Sequence, residues 1–312
     1  MESDENQSNK VVSKISMKGV QNNTYVIRCL KKKLLVLDIN GLLADIVSPP
    51  PEGLKPDTII ARRAIFKRPF YLEFLNFCFD KFEVAVWSSR TKYPSPILTF
   101  NFHLLFAASQ CNVNLCGYYD FCRENTDMVI DYLMGSMKHK LLFCWDASHC
   151  TKTTFKTVEN KHKPVVFKDM RKIWEKHDPS LPWEKGYYNE SNTLLLDDSP
   201  YKALLNPPQN SVFPHTFSFQ DRSDNSLGML VCAINVFGDG GDVRKYLDGL
   251  ANAESMNKYV EEHPFGQQPI TKTSPSWNYY HNVVATLSTS QHGKISPMYF
   301  LAVSPVSVLM LY

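Results

Sequence analysis

The chain has 312 residues, a formal charge of +3 and 44% apolar residues. That is enough apolar material for a sizeable core in one large domain or two smaller ones. The charge is too small to imply direct nucleic-acid binding, and no apolar stretch approaches the eighteen or so residues of a membrane span. Eight cysteines without regular spacing, behind an acidic and polar start that resembles neither a secretory signal nor a transit peptide, imply reduced thiols and a nuclear or cytoplasmic chain. Cys111, Cys116 and Cys122 cluster but lack the paired spacing of a zinc site.

In chain order, residues 1–30 are polar and expected to form a disordered tail. Lys31-Lys32-Lys33 leads into the aliphatic run Leu34-Leu-Val-Leu, which stops abruptly at Asp38. A buried strand of a parallel sheet looks like this, with its acid delivered to the carboxyl-end rim where open α/β sheets place their ligands. The following Asn40-Gly41 is also the strongest short hairpin signal in a sequence. Pro49 to Pro56 reads as an exposed, extended loop. Arg68-Pro69 opens a helix carrying Phe70, Phe74, Phe77 and Cys78 at helical spacing. An arginine there could face a substrate, although a helix-initiating Arg-Pro needs no special role.

A second apolar strand, Val84 to Trp87, ends at Ser88-Ser89. Lys140 to Trp145 is another, and Val165 to Phe167 a shorter one that leads through Lys168-Asp169 into a helix near Ile173 and Trp174. Leu194-Leu-Leu then stops at Asp197-Asp198-Ser199-Pro200. Here Ser199 and Pro200 also make an ordinary helix start. Gly240-Gly241-Asp242 caps an amphipathic helix with Val243, Tyr246, Leu247, Leu250 and Tyr259 on one face. Strands alternating with helices imply an α/β fold, a parallel sheet covered on both faces. Two acids on neighbouring strand ends can hold a divalent cation and leave one oxygen free to attack phosphorus.

Three stretches do not fit this pattern. Tyr93 to Cys122 holds a single Asp/Glu/Lys/Arg, Asp120, Met229 to Phe237 is a nearly uncharged apolar run, and the tail from about 273 loses charge and periodicity. Segments 93–122 and 229–239 are expected as atypical insertions, of the kind a retained intron supplies, and 273–312 as an atypical C-terminal tail.

Leu37-Asp-Ile-Asn-Gly-Leu-Leu43, Val86-Trp-Ser-Ser89, Phe167-Lys-Asp169 and Thr193-Leu-Leu-Leu-Asp-Asp-Ser-Pro-Tyr-Lys202 together resemble the haloacid dehalogenase superfamily. Within it they resemble the phosphatases acting on the carboxy-terminal domain of RNA polymerase II, in a plant-type branch. Asn206-Pro-Pro208 and His263-Pro-Phe-Gly266 support this resemblance, which spans about residues 31–272. It implies a Rossmann-like parallel sheet with a small β insertion over Lys140 to Pro164. It also implies Asp38 as the nucleophile of a phospho-aspartyl intermediate, and Mg²⁺ held by Asp38, the backbone carbonyl of Asn40, and Asp197 or Asp198. Ser88 would donate to a phosphoryl oxygen and Lys168 would neutralise charge. A solvated lysine at a helix start is the plainer reading of Lys168.

One position breaks the family pattern. Active members carry Asp two residues after the nucleophile, as acid and base; this chain has Asn40, which cannot give and take a proton. Two functions follow: a Mg²⁺-dependent phosphatase acting on phosphoserine or phosphothreonine in a phosphoprotein, or an inactive relative serving as a protein- or phosphopeptide-binding module.

Overall fold

The computed structural model describes residues 33–90, 125–221, 223–228 and 242–292. The expected tail 1–30, the insertions 93–122 and 229–239, and the Cys111–Cys122 cluster lie outside the described residues. At its centre is β1 (Leu34–Leu37), flanked by β5 (Glu83–Trp87) and β9 (Thr193–Leu196). A short β10 (Ser211–Val212) and β6 (Cys144–Trp145) close the two ends, giving the order β10-β9-β1-β5-β6 with every pairing parallel. Central parallel strands are covered on both faces, so they need unbroken aliphatic sequence rather than alternation. Leu34 to Leu37 and Leu194 to Leu196 are all fully buried.

Odd and even positions of these strands serve different cores, as the two-residue period of a strand demands. Leu35, Leu37, Val84, Val86, Leu194 and Leu196 face the helices α1 (Tyr71–Lys81), α2 (Asn125–Met134) and α4 (Val243–Asn252). Leu34, Val36, Ala85, Trp87 and Leu195 pack on the other side, against Phe143, Trp145, Trp183 and Ile173 of the one-turn α3 (Arg171–Trp174). In α1 the buried stripe is Phe74, Leu75 and Cys78; Phe70 sits just ahead of the helix, half exposed.

The helix expected after Gly240-Gly241 is α4, and Asp242 caps it by accepting from the N–H groups of Arg244 (2.9 Å) and Lys245 (3.3 Å). At its other end Lys33 donates to the carbonyls of Leu250 (2.9 Å), Ala251 (2.8 Å) and Ala253. The third lysine of the basic run therefore closes a helix C-terminus, where a cation also meets the negative end of the helix dipole.

A further β insertion precedes the expected one. Between Gly41 and α1, β2 (Ala44–Val47), β3 (Thr58–Ile60) and β4 (Arg63–Lys67) form an antiparallel sheet in the order β2-β4-β3. The exposed loop expected over Pro49 to Pro56 is its β2–β3 connection. The prolines occupy only the β2–β3 connection, and the strands on either side are too short to show a period. Within Lys140 to Pro164 the insertion is a hairpin of β7 (Thr151–Lys156) and β8 (Pro164–Phe167), while Cys144-Trp145 joins the main sheet.

After α5 (Met256–Glu262), the stretch read as an atypical tail supplies α6 (Trp277–His292). Tyr280 and Val283 of α6 are buried with Val165, Phe167 and Tyr201, and the rings of Tyr280 and Tyr201 stack 5.5 Å apart. No described helix is long and apolar enough to cross a membrane.

Candidate active site

Register sets the site. Leu37 pairs with Leu196 on one side and Val86 on the other, so the next residues, Asp38 and Asp197, stand side by side at the carboxyl rim. The Asp38 N–H donates to the Leu196 carbonyl (2.9 Å) and the Asp197 N–H to that of Val212 (3.2 Å). Asp198 follows at once, and carboxylate oxygens of Asp38, Asp197 and Asp198 lie within 4.8 Å of one another, all three side chains buried.

Two lysines answer these charges. Lys168, just beyond β8, has its Nζ 2.5 Å from Asp197 Oδ2 and 3.1 Å from Asp38 Oδ1. Lys202 Nζ lies 2.5 Å from Asp38 Oδ2, 2.8 Å from Asp197 Oδ1 and 3.6 Å from Asp198 Oδ1. Both side chains are almost wholly buried, so Lys168 is not a solvated helix-start residue. The lysines are also joined through the backbone, Lys168 N–H donating to the Lys202 carbonyl (2.8 Å). Asn206 fixes the Lys168 turn, accepting from Met170 N–H and donating to the Lys168 carbonyl, both at 2.8 Å.

The charge pattern sets the protonation states. Burial alone would raise the pKa of Asp38. The ammonium groups of Lys168 and Lys202, with hydrogen bonds from Lys202 and the Ile39 N–H, outweigh it and hold the carboxyl well below the usual range. Burial would lower Lys202, yet the carboxylates of Asp197, Asp38 and Asp198 hold it well above its ordinary value. Asp198 goes the other way: burial raises it and the neighbouring acids add to that, against the pull of Lys202.

The remaining acceptors are mostly committed. Asp197 Oδ1 takes the Ser199 N–H (2.9 Å), Asp198 Oδ1 the Ser199 hydroxyl (3.0 Å) and Asp198 Oδ2 the Thr216 hydroxyl (2.9 Å). Gln267, next to the His263-Pro-Phe-Gly266 motif, donates to the carbonyls of Asp198 and Pro214, both at 2.8 Å. One buried oxygen is held more loosely: Asp38 Oδ1 accepts no well-formed hydrogen bond and meets only the Lys168 ammonium, 3.1 Å away. Three hard carboxylates, one of them with an oxygen not fully hydrogen-bonded, suit a hard divalent cation as a donor set. The approach to Asp198 also needs a residue without a side chain at position 41. A Cβ on Gly41 would stand 2.0 Å from Asp198 Oδ2, and the backbone there has φ +82°.

Of the remaining candidates, Ser88 is buried one step beyond β5, its N–H donating to the Trp145 carbonyl (2.8 Å). Its hydroxyl oxygen accepts from the Arg90 N–H (3.1 Å), which leaves the hydroxyl proton free of that bond. Asn40 has its side-chain oxygen engaged with the backbone and with Arg90: it accepts from the Ile46 N–H (2.9 Å) and from the Arg90 guanidinium (3.1 Å), pinning the turn between β1 and β2.

Arg68 does not face a substrate. It is fully buried, paired through two nitrogens with Asp224 (3.0 and 2.7 Å) and bonded to backbone carbonyls of Gly41, Leu42 and His215. Sequence reasoning placed Lys202 in a motif without giving it a role. The available signal was its place four residues after Asp198, on a turn begun by Ser199-Pro200.

Residues 33–100 match the family model described as NLI interacting factor-like phosphatase. A Schizosaccharomyces pombe protein described as an uncharacterized FCP1 homology domain-containing protein is 22% identical over 239 residues, covering 75% of this chain and 78% of that one. Among solved structures, a fission yeast RNA polymerase II CTD phosphatase Fcp1 variant bound to beryllium fluoride gives a TM-score of 0.34 at 10% identity. It covers 84% of this chain, which spans 65% of that one. The structure of Fcp1 described as an essential RNA polymerase II CTD phosphatase gives 0.33 at 10% identity, with 85% and 67% covered. At such TM-scores the fold assignment rests on the sheet order itself.

Proposed function

We propose that this chain, which carries an FCP1-homology phosphatase domain of the haloacid dehalogenase type, is a Mg²⁺-assisted phosphatase. Its substrate would be phosphoserine or phosphothreonine in a nuclear or cytoplasmic protein. The observation that carries the reading is Asp38: a buried carboxylate kept ionised by two ammonium groups, with one oxygen that meets only the Lys168 ammonium and accepts no well-formed hydrogen bond. That is what an attacking nucleophile needs.

Asp38 Oδ1 forms a bond to phosphorus as the P–O ester bond breaks, and the electron pair leaves on the substrate oxygen. Water then cleaves the acyl phosphate, restoring Asp38 and releasing phosphate. Lys168 balances charge on the transferring group, and Ser88 has a proton to donate to one of its oxygens. Asp38, Asp197 and Asp198, with the Asn40 carbonyl, would hold the metal, which when bound supplies further neutralisation of phosphoryl charge.

The departing oxygen must gain a proton, and Asn40 has none to give. Such help is typically worth about 10²–10⁴ in rate. An aryl phosphate, whose phenolate leaves unaided, is therefore expected to turn over about a hundredfold or more faster than a phosphoserine peptide. Parallel kinetics on both substrates test this; equal rates would mean that another group supplies the proton. Failure to hydrolyse either, with the peptide still bound, would instead favour the binding module, a reading supported by the structural use of Asn40.

Restoring the acid at position 40 is expected to fail. In Asn40→Asp the new carboxylate would face Arg90, whose pKa, pushed down to about 10 by burial and by Arg63, leaves it cationic at neutral pH. An opposite charge at hydrogen-bond distance holds a carboxyl ionised, so it would have no proton to deliver. Phosphoserine-peptide turnover should change by less than about tenfold in Asn40→Asp, and rise further only when Arg90→Met is added. A large gain in the single variant would refute this role of Arg90.

A further inference from the structure

We propose that Lys202 is a built-in cation at the centre of the three-aspartate cluster, which a divalent ion must displace in order to bind. The inference rests on reading Asp38, Asp197 and Asp198 as a metal site. One ammonium reaches all three carboxylates, at 2.5, 2.8 and 3.6 Å, whereas Lys168 reaches Asp38 and Asp197 from the side. A magnesium ion requires its oxygens at about 2.0–2.1 Å in near-octahedral array. An ammonium already within ion-pair distance of every carboxylate leaves no room for a second cation among the same oxygens.

The lysine is built into this position. Its side chain is 3% exposed, and it stands on the short helical turn Pro200–Ala203 that begins directly after the acids. The Lys202 N–H donates to the Ser199 carbonyl (3.1 Å), and its own carbonyl takes the Lys168 N–H. The neighbouring Tyr201 is held beneath α6 by its stack with Tyr280. The backbone is thus fixed, and only the four-carbon stem can swing the ammonium out.

Charge points the same way. Three carboxylates facing two ammonium groups carry one net negative charge; without Lys202 they carry two, and attract a divalent ion more strongly. Apparent affinity falls in proportion to the fraction of molecules whose site is open. A lysine in place nine-tenths of the time would weaken the metal about tenfold.

Calorimetric titration of Mg²⁺ into the full chain, Lys202→Met, Lys202→Gln and Asp197→Asn tests the idea. The Lys202 variants are expected to bind about tenfold or more tightly than the parent, and Asp197→Asn to weaken binding. Lys202 variants that bind no better than a parent whose binding Asp197→Asn weakens would overturn the displacement while the metal site stood. Absence of Mg²⁺ binding in all four proteins would remove the metal reading, and this inference with it. Should the Lys202 variants not fold, acetylation of the parent followed by mass spectrometry gives a second readout. Lys202 should become several-fold more reactive on saturation with Mg²⁺, whereas unchanged reactivity with metal bound would overturn the proposal.

Discussion

Asp38→Asn is expected to remove phosphatase turnover, by at least about 10³-fold or roughly 4 kcal/mol of barrier. The amide keeps the shape of the carboxylate and can still accept from Lys202, but its oxygen is a far weaker nucleophile and carries no charge for the two ammonium groups to hold. Any loss of stability from removing a charge in this buried network is read separately by denaturant unfolding, and the loss of turnover should appear in the chemical step. Rapid acid quenching with intact-mass spectrometry separates the cases: the parent should show a phosphate-sized mass increment on the peptide containing residue 38, and the variant none. Retention of about a hundredth or more of parental activity in Asp38→Asn would place the nucleophile elsewhere.

Arg68→Ala should cost the fold about 3–5 kcal/mol, the usual range for breaking a buried ion pair from one side. The guanidinium holds Asp224, whose side chain is 8% exposed, and meets the carbonyls of Gly41 and Leu42 (3.2 and 3.3 Å) and of His215 (3.2 Å). It also lies 5.6 Å over the Phe217 ring. Truncation leaves a carboxylate and three carbonyls without the donor that satisfied them, in a place water reaches poorly. The effect should spread to the site, since Gly41 abuts Asp198 and Thr216 bonds to it. Denaturant unfolding monitored by tryptophan fluorescence gives the number; a loss below about 1 kcal/mol would mean that the pair is solvated after all.

The two acid-ended strands were legible because a central parallel strand leaves a plain mark: an aliphatic run ended by a residue that does not belong in a core. Leu34 to Asp38 and Leu194 to Asp197 carry that mark, and register then places their acids together with no further information. Lys202 left no such mark. It returns to the acids through a tight turn, and a lysine after Ser-Pro-Tyr looks the same whether it points at solvent or at three carboxylates. The role of Arg68 was equally hidden, because its partner Asp224 lies 156 residues away in sequence and only the closed fold brings them together. The β2-β4-β3 sheet escaped the sequence reading for a local reason: its strands have three to five residues, and Pro49, Pro50, Pro51 and Gly53 dominate any window drawn across them. Among the residues of α6 whose burial is described, only Tyr280 and Val283 are fully buried, too narrow a stripe for periodicity to detect.

The order of strands has a consequence for synthesis. β5 follows β1 closely in the chain, but the other flank of β1 waits for β9, which starts at Thr193. At about 5–20 residues per second, that open edge persists for roughly ten to thirty seconds. Throughout that interval a fully aliphatic strand presents unpaired N–H and C=O groups, the situation in which nascent chains join one another edge to edge. Lowering the translation rate between residues 88 and 193 should therefore reduce the yield of folded protein by lengthening that exposure. Supplying an early-acting chaperone should restore it.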